Sequence, residues 1–219
     1  MEGCVVRTED RRKAIFAFGR FQPPTVGHAV LIDAISQLAF DQNADGYVFV
    51  SSSQDDVKNP LTIEQKIQVL LKQHVGKNVT FVDTTLCKCR TIFSIINALK
   101  EEGYTELTFL VGSDRVEEFQ SMLAKYHSDI RVMSIGDERD TDESNDPSTV
   151  SGTRLRELAR RQNLKEFSKF VKLGSMTNTN VRTLLNQTRS ALRSDYKSKR
   201  RGNKRKTRTT LKKHLKTQY

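Results

Sequence analysis

Two short stretches of this 219-residue chain carry residue types suited to holding phosphate. The first is Gly19-Arg20-Phe21-Gln22-Pro23-Pro24-Thr25-Val26-Gly27-His28 and the second is Val150-Ser151-Gly152-Thr153-Arg154-Leu155-Arg156. Each places small residues where a helix begins. A helix N-terminus presents unsatisfied N–H groups and about half a positive charge. Glycines there let the backbone approach phosphate oxygens, and the hydroxyls of Thr25, Ser151 and Thr153 add donors. Arg20 and Arg156 supply forked cationic donors, and His28 supplies a ring N–H. This inventory suits in-line attack on the α-phosphate of a nucleotide. Charge builds on the equatorial oxygens and the departing pyrophosphate, preorganised donors stabilise it, and no covalent nucleophile is needed. Alone, Gly19–Gly27 reads equally well as an ordinary tight turn, since Gly and Pro punctuate any loop. Joined to the second stretch and to Gly112-Ser113-Asp114, it reads as a nucleotide site. Gly-x4-Gly-Lys-Ser/Thr is absent, so this is no Walker A loop.

The elements that must position these turns follow an alternating pattern. Strands are predicted at Ala14–Phe18, Tyr47–Val50, Val79–Val82, Leu107–Val111 and Ile130–Ile135. A first helix is predicted over Val30 to Phe40, with Val30, Leu31, Ala34, Ile35 and Leu38 on one face. A second begins at Thr62, with Gln65 at capping-box spacing. A third runs from about Thr91 to Glu102 and stops at Gly103, and a fourth covers about Val116 to Tyr126. Strands alternating with helices argue for a parallel α/β sheet covered on both faces, with ligands beyond the carboxyl ends of the strands. Gly19–His28 and Gly112–Asp114 both fall at such ends. Further helices are expected at about Ser151–Arg161, Leu164–Leu173 and Asn180–Leu192. The organisation is then an N-terminal segment (1–12), one domain with C-terminal helices (13–192) and a basic tail (193–219).

Charge is unevenly placed. The formal net charge is +11, and residues 197–219 contain eleven Lys or Arg with no Asp or Glu. The rest of the chain is therefore balanced. Such a tail is too charged to bury itself and is expected to be disordered alone. It reads as a nuclear-localisation-like stretch, a nucleic-acid-binding arm or a solubilising extension. Only Tyr196 and Tyr219 flank it, so base stacking is not its mode. Cys4, Cys87 and Cys89 have no framework spacing and are expected as reduced thiols in an intracellular protein, cytoplasmic or nuclear. They lack a second ligand pair for zinc. No apolar run suits a membrane span and no secretory h-region is evident. The acidic stretch 137–146 reads as a solvated loop, Lys58-Asn59-Pro60 as preparation for the next helix, and His74, His127 and His214 as ordinary residues. No metal ligand is assigned.

The residues also carry a resemblance. Gly19–His28 resembles the His-x-Gly-His signature of the nucleotidylyltransferase superfamily, with Thr25 in the first His place. Val150–Arg156 resembles its Ser-Gly-Thr-x-x-Arg motif, and Gly112-Ser113-Asp114 looks like its Gly-x-Asp element. Ser51-Ser52-Ser53-Gln54 and Asn59-Pro60-Leu61-Thr62 resemble a stretch of archaeal-type nicotinamide mononucleotide adenylyltransferases. The set also looks like nucleotidyltransferase-like proteins of tailed phages and large DNA viruses. The resemblance implies a Rossmann-like, doubly wound five-stranded parallel sheet with a small C-terminal helical extension. It implies a nucleoside triphosphate donor, ATP or CTP, with Mg2+ arriving on the nucleotide. Thr25, His28 and Arg156 would be catalytic. Gly19, Arg20, Phe21, Gly27, Gly112, Asp114, Ser151, Gly152 and Thr153 would bind nucleotide. Phosphopantetheine adenylyltransferases also use Thr at the position of Thr25, whereas nicotinamide enzymes usually use His.

The expected activity is transfer of a nucleotidyl group, AMP from ATP in the leading reading, to a small phosphorylated acceptor such as nicotinamide mononucleotide, releasing pyrophosphate. The rival reading is a nucleic-acid-binding protein on a catalytically inactive transferase fold, acting through residues 197–219. A class I aminoacyl-tRNA synthetase relative is a third reading, but the chain is too short for one and has no Lys-Met-Ser-Lys-Ser motif.

Overall fold

A computed structural model describes residues 12–135 and 151–192. Cys4, the acidic stretch 137–146, Val150 and the basic tail lie outside the described residues. The strands are β1 (Arg12–Gly19), β2 (Asp45–Val50), β3 (Thr80–Asp83), β4 (Tyr104–Gly112) and β5 (Arg131–Ile135). The helices are α1 (Val26–Asp41), α2 (Ile63–Gln73), α3 (Ile92–Glu101), α4 (Val116–Ala124), α5 (Gly152–Arg160), α6 (Leu164–Val171) and α7 (178–192). The strands form one five-stranded sheet in the order β3-β2-β1-β4-β5. All four pairings are parallel. The expected doubly wound, Rossmann-like α/β sheet is what the chain builds.

The order reverses direction after β3, so β1 and β4 are central neighbours joined through a long excursion. In a sheet wound this way the crevice at the reversal, outside the carboxyl ends, takes ligands. Each face has its own core. Phe16, Phe49 and Phe109 pack with Ile92, Ile95, Ile96 and Leu123 of α3 and α4. Ile15, Ala17, Val48 and Val50 pack with Ile32, Ile35 and Ala39 of α1 and with Ile63 and Leu70 of α2. A third cluster ties the C-terminal helices to the body: Leu155, Phe167, Phe170 and Leu184 bury Leu61 and Val69.

Helix boundaries follow local chemistry. Four helices begin on a threonine whose hydroxyl and backbone exchange bonds with the third helical residue. The pairs are Thr25 with His28, Thr62 with Gln65 and Thr91 with Ser94, and Thr177 with Asn180. Gly103 follows α3 at φ +90°, where lack of a Cβ removes the steric penalty. Expectations for two helices are corrected. The first helix starts at Val26, and its buried stripe is Ala29, Ile32, Ile35 and Ala39, while Val30 and Phe40 are exposed. The apolar residues of this segment occur nearly all round, so periodicity alone leaves the inward face undefined. The fourth helix is also shorter than expected, ending at Ala124.

Candidate active site

β1 ends at Gly19, and the chain turns sharply through Phe21 at φ +50°. That left-handed value is uncommon for a bulky residue and marks a turn held by its surroundings. Here the hold is burial: Phe21 is 2% exposed, and its ring lies under Gly19. A Cβ on Gly19 would come within 2.8 Å of the Phe21 ring, so any other residue there must push the buried ring aside. The Phe21 ring also supports the His28 imidazole at a centroid separation of 4.8 Å.

Thr25 is buried at the N-cap of α1. Its backbone N–H donates to Nδ1 of His28 at 3.0 Å. Its hydroxyl lies 2.8 Å from the same nitrogen and accepts the His28 backbone N–H at 3.3 Å. An Nδ1 that accepts from the backbone is unprotonated in the neutral ring, so the proton sits on Nε2. The sequence suggested a direct phosphate role for the Thr25 hydroxyl. In the structure that hydroxyl also accepts the His28 N–H and lies beside its Nδ1, which holds the imidazole in place.

The second turn opens α5. Ser151 is the N-cap and accepts the Arg154 N–H at 3.3 Å. Arg156 reaches across to the first turn, where Nη1 donates to the carbonyl of Gln22 at 2.8 Å. Its Nη2 donates to the Thr153 hydroxyl at 2.9 Å. Gly152 makes this meeting sterically feasible, because a Cβ there would lie 2.8 Å from the Gln22 carbonyl oxygen. The two stretches, over a hundred positions apart in sequence, thus meet at the carboxyl edge of β1.

Electrostatics at this edge are lopsided. Burial, with the nearby charges of Arg160 and Arg20, pushes the Arg156 guanidinium below its ordinary value, and Asp55 opposes the shift. Arg20 is exposed beside it. A cluster of cations with one opposing carboxylate is relieved by a polyanion. Asp55 is itself engaged: its carboxylate accepts the backbone N–H groups of Val57, Lys58 and Asn59 and the Asn59 amide. These bonds, led by that of Lys58 and then the Asn59 amide, hold it down at about 2, against the opposing effect of burial.

Gly27 sits in the first turn of α1. Gly112 ends β4 and caps a short 3-10 turn, Ser113–Arg115, on which Asp114 is exposed. β4 adjoins β1, so Asp114 lies at the same sheet edge, although among the described residues it bonds to neither turn. Among the described residues no group of three or more His, Cys, Asp or Glu could hold a metal ion, and no helix is long and apolar enough to cross a membrane.

Sequence reading missed Gln22, the strut between the turns. It is 5% exposed, and its amide donates to the carbonyls of Ser53 at 3.1 Å and Leu61 at 2.9 Å. Its Oε1 accepts the Leu61 N–H at 2.9 Å. A glutamine between a bulky residue and two prolines carries no chemical signature; only the fold shows what it joins. An open groove of about 490 Å³ runs between the loop after β2 and α7, lined by Gln54, Thr62, Gln65, Thr183, Asn186 and Gln187 among others. None of the phosphate-turn residues lines it.

Comparison with known proteins places this fold among the nucleotidyltransferases. The profile of the cytidylyltransferase-like family matches residues 16–158, more than half of the chain. The chain belongs to that family, and the match spans both turns. Among solved structures, it resembles a Vibrio parahaemolyticus protein assigned as a nicotinate-nucleotide adenylyltransferase. The TM-score is 0.58 at 18% identity, covering 80% of this chain and 99% of that one. It also resembles the Plasmodium falciparum nicotinic acid mononucleotide adenylyltransferase in complex with NaAD, with a TM-score of 0.51 at 12% identity over 84% of this chain and 95% of that one. The same enzyme in complex with APC gives a TM-score of 0.50 at 12% identity, covering 84% and 96%. No curated protein matches the chain significantly by sequence.

Proposed function

We propose that this chain transfers AMP from Mg·ATP to a small phosphorylated acceptor, of which nicotinamide mononucleotide is the leading example. An acceptor phosphate oxygen attacks the α-phosphorus. The new P–O bond forms as the bond to the β-phosphate oxygen breaks, and pyrophosphate leaves with the magnesium that came in on the nucleotide. The observation that carries this reading is the Arg156 bond to Gln22, which brings two phosphate-type turns to one edge of the sheet. His28 would donate its Nε2 proton to a phosphate oxygen, with Thr25 holding the ring. Arg156 uses one of its five N–H donors to join the turns and a second on Thr153 within its own turn, and the others would grip the triphosphate together with Arg20, Ser151 and Thr153. Gly19, Phe21, Gly27 and Gly152 shape the backbone that carries these donors, and Gly112 and Asp114 would border the nucleotide or acceptor. The solved nucleotide adenylyltransferases of like fold favour ATP over CTP and a pyridine mononucleotide acceptor, and so a place in NAD biosynthesis.

The test is pyrophosphate release by the purified chain with ATP, CTP and a panel of phosphorylated acceptors. Activity with ATP that falls sharply in both His28→Ala and Arg156→Ala supports the assignment; activity unchanged in both overturns it. The confinement of all net charge to residues 197–219 favours a second reading, in which the tail binds nucleic acid through phosphate contacts. Deleting the tail then abolishes salt-sensitive DNA or RNA binding, and equal binding by the shortened chain removes that reading.

A further inference from the structure

Six of the nine buried polar residues among the described ones gather at the carboxyl edge of β1–β3: Gln22, Thr25, Ser51, Asn59, Lys66 and Thr84. Five of them are uncharged. Lys66 of α2 is the exception, 0% exposed and the only buried Lys, Arg, Asp or Glu in that set. The fold has no evident need of it. Lys66 lies between Ile63 and Leu70, both part of the apolar core, where an aliphatic residue of similar length would pack without loss of hydration. A buried ammonium is expensive unless its bonds serve a purpose.

The Lys66 ammonium donates to the carbonyl of Ser51, the first residue beyond β2. Ser51 is tied to the end of β1, its N–H donating to the Gly19 carbonyl at 2.9 Å. Its hydroxyl lies 2.8 Å from that of Ser53. The Ser53 carbonyl receives the Gln22 amide at 3.1 Å, and the Gln22 carbonyl receives Arg156 at 2.8 Å. An unbroken set of bonds runs from Lys66 to Arg156.

We propose that Lys66 is a positioning residue for the polyphosphate site: by fixing the Ser51 carbonyl it sets where Gln22, and through it Arg156, stand. This rests on the nucleotidyl-transfer reading. The charged groups facing Lys66 are Asp83 at the end of β3 and Glu64 on its own helix, both of which favour the ammonium. Burial outweighs them and lowers its pKa to about 8. The hold on Ser51 is therefore mostly charged at pH 7 and weakens as pH rises through about 8.

The experiment compares the full-length chain with Lys66→Met and Lys66→Arg. Three quantities are read: KM and kcat for Mg·ATP across pH, hydrogen–deuterium exchange, and thermal melting. In Lys66→Met, KM for Mg·ATP rises and kcat falls, together lowering kcat/KM about tenfold, a smaller image of the loss expected when Arg156 itself is removed. Amides of residues 19–25 and 51–61 exchange faster while the strands of the sheet stay protected. In the native chain KM climbs above about pH 8, and in Lys66→Arg, which keeps its charge, the climb disappears. Unchanged KM and unchanged exchange in Lys66→Met overturn the proposal. If that variant does not fold, the pH profiles of the native chain and Lys66→Arg decide, and coincident profiles overturn it. A native chain that turns over no nucleotide defeats the transfer reading separately, and the exchange measurement still decides whether Lys66 holds the turns.

Discussion

The two ends of the sheet both carry polar clusters, but of opposite character. At the amino ends, the Tyr104 hydroxyl donates to Asp45 at 2.5 Å and lies 2.7 Å from the Tyr47 hydroxyl. Arg12 donates to the Tyr104 oxygen at 3.0 Å and to the Glu102 carbonyl at 2.6 Å, with its guanidinium 4.3 Å over the Tyr104 ring. Asp45 lies 3.7 Å from Arg12 and balances its charge. Burial first, then the bond to Asp45, raises the Tyr104 pKa, so the phenol stays a donor. At the carboxyl ends Arg20, Arg156 and Arg160 crowd together with Asp55 as the opposing charge, and Lys66 is buried behind them. A cluster that satisfies itself stabilises a fold. One that gathers like charges and donors at a strand edge stores an unmet demand for an anion, which is the physical content of a binding site.

The largest expected effect breaks that demand directly. Arg156→Ala removes both the bridge between the turns and the cation, and kcat for pyrophosphate release should fall about 10²–10³-fold, as when a preorganised donor is lost. Thermal melting should move little, because half-buried Arg156 makes the site crowded rather than stable. Next comes Gly152→Ala. Alanine is the better helix former by about 1 kcal/mol in a helix interior, so propensity alone predicts no harm. The added Cβ would sit 2.8 Å from the Gln22 carbonyl and must push the turns apart. A displacement on the order of 1 Å at reacting groups costs up to about 10²-fold in rate. Measuring kcat/KM beside melting separates the two: a stable, slow enzyme supports the steric account, and a fully active one removes it.

The contrast also explains what could be read in advance. Strand order aside, the sheet was legible because buried parallel strands are continuous apolar runs, and Thr62 was legible as a cap because Gln65 completes a familiar box. The same box at Thr25 went unread because its third residue is His28, whose imidazole does the work of a carboxamide. The glycines were read as room for phosphate. Gly19 and Gly152 prove to be room for Phe21 and for Gln22, which only tertiary contact could show. Lys66 was hidden by its chemistry: a lysine on a helix is ordinarily solvated, and its burial came from the packing of α2 over the ends of β2 and β3.

At the amino ends the expected effects are on stability alone. Tyr104→Phe deletes the hydroxyl that Asp45, Tyr47 and Arg12 share and should destabilise by about 0.5–1.5 kcal/mol, the usual net worth of a hydrogen bond, because the exposed Asp45 and Arg12 can turn to water instead. Turnover should be native. A loss of turnover at undiminished stability would mean that the two ends are coupled and the division between them is wrong.

The smallest effect tests whether Asp55 belongs to the site or only to its loop. Its folded pKa, about 2, lies below the ordinary value of 3.8. An acid whose folded pKa is depressed stabilises the native state above its unfolded pKa, and that contribution is lost as pH falls through the folded value. The loss therefore falls between about pH 4 and about pH 2. Because Asp55 is exposed, solvent screening keeps its size under about 1 kcal/mol. Following the Asp55 carboxylate by NMR gives the titration, and amide exchange at residues 55–59 gives its consequence. In the native chain those amides should open in that acid window while α5 stays protected. In Asp55→Asn, whose amide oxygen still accepts but carries no charge, they should exchange faster at neutral pH, and Arg156, relieved of that opposing charge, should bind Mg·ATP slightly more tightly. Weaker binding instead would make Asp55 a contributor to the nucleotide site rather than the pin of a neighbouring loop.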